Sequence, residues 1–265
     1  MIPIREMLAA YQPWQWLMFF FLYNFIGWIY ETAFVSATNK CFENRGFLWG
    51  PQIPLYGSGA LLMLFLALPV KDRPALCFLA GMAGATALEF IVGITMEAVF
   101  KVKYWDYSNF KTNVKGVICL PASLLWGVFT LVLVNWLHRP MEALVLGTPD
   151  AVVILLDVMF FVMFATDFVM SLKAALELRS MLEAIVRLRD ELNKVQEQIK
   201  EELHAHLKEC VADYQQQLHI LNTSRKKLRD NLLSRHRGIR SERFEGAMKE
   251  IREHLPERLG KKKRG

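Results

Sequence analysis

Five carboxylates sit inside long apolar stretches of this 265-residue chain: Glu31 in one, Glu89 and Glu97 in another, Asp157 and Asp167 in a third. An ionisable group in hydrocarbon costs about 2.5 to 3.5 kcal/mol on insertion scales, so such acids face a partner or a water-filled cavity. They can bind a cationic or polar solute, gate a pathway or hold an assembly together. Were two of them to converge, they could do general acid–base work on a lipid-linked substrate. What they face depends on the elements that carry them.

Those elements read as membrane spans. Residues 14–37, 54–70, 74–100, 118–137 and 151–172 are each near or above the roughly 17 to 25 residues that cross a bilayer as a helix. The expected fold is all-α: a polytopic helical membrane bundle of about five spans followed by a long cytoplasmic coiled-coil helix. The expected divisions are a transmembrane domain over 1–172, a coiled-coil helix over 173–237, and a short amphipathic helix with a basic tail over 238–265. The first apolar run is long and aromatic and lacks a small-residue cleavage site, so it reads as an anchor that stays.

Orientation follows from Lys and Arg, which short cytoplasmic loops retain. One side holds Arg5, Lys71, Arg73 and Arg139; the other holds Lys40, Arg45, Lys101, Lys103, Lys111 and Lys115, with 22 more from Lys173 onward. The second side is expected to be cytoplasmic, in a cell membrane, with the amino terminus outside. The net charge of +6 belongs to that tail and those loops, so nucleic acid is not an expected partner. Cys41, Cys77, Cys119 and Cys210 form no C-x-x-C or zinc spacing and read as buried or free thiols. No metal site or cofactor is expected.

Within the spans, Asn24, Gly27 and Glu31 share one helical face, because three, four and seven residues return to nearly the same angle. Glu89 lies near the middle of its span, with Thr86, Gly93 and Thr95 nearby and Glu97 two turns on. Gly81, Gly84, Ala85 and Ala87 supply small residues for close helix contact. Between spans, Asn44-Arg45-Gly46-Phe47-Leu48-Trp49-Gly50-Pro51 and Pro54-Leu55-Tyr56-Gly57 specify a shaped turn entering the membrane. A second loop carries Trp105-Asp106-Tyr107-Ser108. Trp and Tyr there serve as interfacial anchors, which leaves the Asp and Ser to explain.

Beyond Leu172, Leu178, Ile185, Leu192 and Ile199 recur every seven residues, with Met181, Leu188 and Val195 at the complementary position. This is a coiled-coil seam. Its frame slips near Leu203 and resumes through Leu207, Tyr214, Leu221 and Leu228. One continuous helix over 175–233 would reach roughly 87 Å. Gly238 is expected to end it, with a short helix over 240–255 and a basic cluster over 261–264 that could sit on anionic lipid.

Residues 20–140 resemble the Putative ABC-transporter type IV family of bacterial membrane proteins. The matching stretches are Tyr23-Asn24-Phe25-Ile26-Gly27-Trp28 through Glu31, Asn44-Arg45-Gly46-Phe47-Leu48, Gly50-Pro51, Pro54 with Tyr56-Gly57, Leu88-Glu89, Glu97, Trp105-Asp106-Tyr107-Ser108, Asn113 with Gly116, Ile118-Cys119-Leu120, and Ser123 with Trp126-Gly127. Val117 departs from it: the family favours arginine there, so a carboxylate partner from that position is missing. The resemblance implies a permease subunit.

No G-x-x-x-x-G-K-[ST] loop is present to cradle a nucleotide, so an ATPase would be a separate polypeptide. No nucleophile elbow or H-E-x-x-H helix is present either, and an enzyme is not expected. The leading expectation is a permease-like subunit moving an unidentified solute with an ATPase partner. Asn24, Glu31, Arg45, Glu89, Glu97, Trp105, Asp106, Tyr107 and Asp167 are its candidate vestibule, substrate or gating residues. The alternative is a membrane-anchored scaffold or assembly factor acting through the coiled coil, which could also pair two copies as a homodimer.

Overall fold

The computed structural model describes residues 10–201, 207–228, 244–246 and 249. They are mostly helical: α1 (Pro13–Asn39), α2 (Pro54–Ala67) with a 3-10 turn at Leu68–Val70, α3 (Pro74–Phe100), α4 (Leu120–Val132), α5 (His138–Gly147), α6 (Asp150–Glu201) and α7 (Leu207–Leu228). A short hairpin of two-residue strands precedes α4, with β1 (Asn113–Val114) antiparallel to β2 (Ile118–Cys119) and Asn113 opposite Cys119. The class is all-α.

Four helical stretches are long and apolar enough to cross a membrane: Pro13–Asn39, Pro74–Phe100, Leu120–Gly147 and Asp150–Gln196; Pro54–Val70 is apolar but shorter. Proline opens α1, α2 and α3, where its missing N–H is one that a helix leaves unbonded anyway and its fixed φ suits the first turn. α1 ends where Lys40 turns left-handed at φ 53°.

Several bounds differ from expectation. The fourth span begins at Leu120, because Ile118 and Cys119 are taken up by the hairpin. It also runs past Leu137 to Gly147 through a π turn at Leu133–Leu137. Pro140 has no N–H to give the Trp136 carbonyl, and a wide turn just ahead of it lets the helix continue. Arg139 is therefore helical rather than part of a loop. α6 continues without a break from the apolar residues through Leu172 to Glu201.

The chain divides into two compact units: the residues up to Met96 with Trp105–Ser171, and Glu97–Tyr104 with the chain from Leu172 onward. In the first, the apolar helices meet at small residues. A Cβ on Gly27 would strike the Tyr56 ring, one on Gly57 would strike Asn24 and the Phe20 carbonyl, and one on Gly81 would strike Thr130. Lipid tails are as apolar as the side chains, so close backbone approach replaces hydrophobic drive as the source of contact. Ala87, expected among these packing residues, is exposed. Trp14 meets Asp150 and Phe21 meets Phe160, so α1 and α6 run in the same direction.

In the second unit, Arg179 donates through Nη1 to the Val99 carbonyl (2.8 Å) and through Nε to Glu183 (3.1 Å). Leu178, Met181, Leu182 and Ile185 are buried, while Leu188, Leu192 and Val195 are half-buried beside exposed neighbours. The same contrast holds for Val211, Tyr214, Leu218 and Leu221 in α7. The frame slip at Leu203, the stop at Gly238, most of the 240–255 helix and the 261–264 cluster lie outside the described residues.

Candidate functional site

Asn24 explains how the site is assembled. The first N–H groups of a helix have no intrahelical acceptor, and Gly57 N, in the first turn of α2, donates to Asn24 Oδ1 (3.0 Å). Ile53 N donates to the Asn24 carbonyl (3.2 Å). A buried side chain of α1 thus caps α2 from alongside, and Gly57 must be glycine for the two to approach. This seats Tyr56 against Gly27, and its hydroxyl donates to Glu31 Oε2 (2.6 Å).

The turn between α1 and α2 is tied down along its length. Arg45 pairs with Glu31 Oε1 (3.6 Å), and its backbone N donates to Thr32 Oγ1 (3.4 Å). Trp28 Nε1 donates to Asn44 Oδ1 (2.6 Å), and Asn44 Nδ2 donates to the Trp49 carbonyl (2.9 Å). Gly46 turns at φ 108°, a conformation that only glycine adopts without strain. Asp167 of α6 closes the turn by accepting Trp49 N on Oδ1 (2.9 Å) and Gly50 N on Oδ2 (2.7 Å), with Ser171 Oγ also on Oδ1 (3.1 Å). Its work is to fasten the turn.

Glu89 is 4% exposed. Its Oε2 accepts Trp126 Nε1 (2.9 Å) and its Oε1 accepts the Tyr107 hydroxyl (3.3 Å). Both donors are neutral, so the carboxylate is satisfied in hydrogen bonds without a counter-charge from either. The Tyr56 and Trp126 rings lie 5.4 Å apart, and Phe129 extends the aromatic wall, 5.9 Å from Trp126. A continuous polar and aromatic path therefore runs from Arg45 and Glu31, through Tyr56 and Trp126, to Glu89 and Tyr107. Burial pushes the Tyr107 phenol well above its usual range, with the charges of Glu89 and Glu31 adding to it. The hydroxyl that reaches Glu89 stays a donor.

The loop that delivers Tyr107 is a local turn. Asp106 Oδ1 accepts Ser108 N (3.0 Å) and the Ser108 hydroxyl, and Tyr107 N donates to the Gly116 carbonyl (2.8 Å). This accounts for the Asp and Ser among the aromatics. Trp105 Nε1 donates to the Val117 carbonyl (2.8 Å), and the Val117 side chain packs where a Cβ on Gly93 would fall. At the position of the expected arginine, the chain thus places apolar packing.

Of the expected site residues, Glu31, Arg45, Glu89 and Tyr107 come together on this path. Asn24, Trp105, Asp106 and Asp167 hold its framework. Glu97 is half-buried, and its carbonyl accepts Lys101 N (2.8 Å) as α3 ends. Tyr56 and Trp126 were legible as motif residues but not as the bridge between the acids, because nothing in one helix's spacing reveals a neighbour's hydroxyl. Among the described residues no group of three or more His, Cys, Asp or Glu could hold a metal ion.

A second polar group escaped the sequence entirely. Tyr11 donates to Glu142 and meets His138 Nε2 (3.2 Å), while Tyr23 meets Nδ1 (2.8 Å). The single Tyr11 proton goes to Glu142, so Tyr11 accepts from Nε2–H, and Nδ1 accepts from Tyr23. His138, directly after the apolar run that ends at Leu137, was the available signal.

Residues 18–172 match the family described as Putative ABC-transporter type IV. No curated protein and no solved structure matches the chain. The family match runs beyond the resembling stretch of residues 20–140 to take in Asp167, so every residue of the path and its framework lies inside it. With more than half its length matched and four helices able to cross a bilayer, the chain is a membrane protein that belongs to the Putative ABC-transporter type IV family.

Proposed function

We propose that this protein is a permease-like integral subunit of an ABC-transporter-type assembly, moving a solute with energy from a separate ATPase polypeptide. The observation that carries this reading is Glu89, a buried carboxylate on a helix able to cross the membrane, held by Trp126 and Tyr107 beside an aromatic wall. Acids placed this way mark solute paths in membrane proteins. In the proposed orientation the amino terminus is outside, and the turn at 40–53, the loop at 105–119 and the tail lie in the cytoplasm. The protein itself carries out no covalent chemistry.

The test is purification of the intact protein from membranes, identification of what accompanies it, and flux measured in reconstituted vesicles. An ATPase in the purified assembly, with flux that falls at least about tenfold in Glu89→Gln, supports the reading; tenfold corresponds to about 1.4 kcal/mol, within the range for a hydrogen bond to a charged group. Unchanged flux in Glu89→Gln removes the assigned role.

One observation favours a second reading, a scaffold acting through the tail: α6 passes from apolar to charged residues without a break over 52 residues. A self-paired tail is part of that reading. Removing the residues from 178 onward separates the two, because a scaffold loses its function and a permease bundle keeps its solute binding.

A further inference from the structure

Val153, Leu156 and Phe160 turn one face of α6 into the core of the first unit. Val153 is in the buried cluster with Met18 and Phe19, Leu156 and Phe160 pack against that cluster, and the Phe160 ring lies 5.8 Å from Phe21 of α1. Asp157 belongs to the same face, since steps of three and four residues return to one side of a helix. It is 3% exposed, and neither of its carboxylate oxygens has a hydrogen-bond partner among the described residues.

The acids around it are not in this position. Asp150 accepts Trp14 Nε1 (3.2 Å), and Glu142 accepts the Tyr11 hydroxyl. Tyr11, just ahead of α1, and Tyr23 of α1 both meet His138 of α5, Tyr11 also donates to Glu142, and Arg139 of α5 is exposed. A bare carboxylate enclosed in this way carries a desolvation cost of several kcal/mol with nothing to offset it. A metal ion would need several oxygen ligands, and among the described residues no cluster of acids gathers at Asp157. A single proton on one oxygen removes the charge and needs no further ligand.

We propose that Asp157 is a proton-binding site within the contact between α1 and α6, and that uptake of one proton stabilises that contact. The assignment goes beyond the permease reading and does not depend on it. Protonation at this place makes the packing of the bundle responsive to pH, with the contact weakened as pH rises and the proton leaves.

Infrared difference spectroscopy of the full-length protein in detergent micelles tests this directly, because a protonated carboxyl in an apolar setting has a carbonyl band separate from that of a carboxylate. The expected result is such a band at neutral pH in the wild type, shifted in deuterated water, lost as pH rises and absent from Asp157→Asn. Should that variant not fold, Asp157→Glu replaces it, with the band expected to move rather than vanish. No protonated band attributable to residue 157 at any pH overturns the proposal. Loss of the band on adding sodium chloride at fixed pH overturns it equally, because the site would then be one for a metal cation.

Discussion

Trp126 Nε1 donates to Glu89 Oε2 at 2.9 Å, a bond across 37 residues that fixes where the acid of α3 points. Trp126→Phe keeps a ring beside Tyr56 but leaves that oxygen without its donor. A buried acceptor left unmet costs about 1–3 kcal/mol. Thermal unfolding in detergent should show the loss, and an unchanged melting temperature would mean that Glu89 finds another donor.

Gly27 and Gly147 make a matched pair. A Cβ at Gly27 collides with the Tyr56 ring, whereas one at Gly147 meets nothing within 4 Å. Overpacking costs about 1–3 kcal/mol, so Gly27→Ala is expected to destabilise the protein and to displace the Tyr56 hydroxyl from Glu31. Gly147→Ala should leave stability within about 1 kcal/mol, the size of the glycine-to-alanine backbone effect. Melting curves of the two variants side by side provide the check.

Asp167 holds the turn after α1 through two backbone N–H groups. Asp167→Ala removes both acceptors, with about 1–3 kcal/mol expected for each donor that stays unmet. Limited proteolysis should then cut within residues 44–52 faster than in the wild type. Equal cutting rates would show that the turn is held by Asn44 and Arg45 alone.

Tyr107 sets an alkaline limit. Its folded value lies above the ordinary 10.0 through burial first and then the charges of Glu89 and Glu31. The folded state therefore holds this proton more tightly than the unfolded state does. Its contribution is intact below about pH 10 and declines as pH rises from there toward the folded value. In a melting series, Tyr107→Phe should flatten part of the fall above about pH 10 and leave the neutral range without an added slope. An identical alkaline slope in the variant would assign the fall to other tyrosines.

Much of this architecture was legible in one dimension. Apolar runs of bilayer length, opened by Pro13, Pro54 and Pro74, specify helices because a buried backbone in hydrocarbon must bond to itself. The acids within those runs, and the glycines that allow close contact, could be named from residue type and spacing alone. The motifs also pointed to the family. The end of the fourth span was missed because the apolar run stops at Leu137, ahead of His138, Arg139 and Pro140, and the π turn that carries the helix on depends on backbone bonding that sequence does not display.

The sequence by itself determined which elements form, which residues are costly to bury, and which loops must turn sharply at Gly46 or around Asp106. Only the tertiary structure decided that Tyr56 and Trp126 connect Glu31 to Glu89, that Asp167 fastens a turn more than a hundred residues away, and that Asp157 is left with no donor among the described residues. The reason is physical. Helix formation and the cost of burying a charge are properties of a segment and its solvent, whereas a hydrogen-bond partner for a buried acid is supplied by whichever neighbouring helix packing brings within about 3 Å.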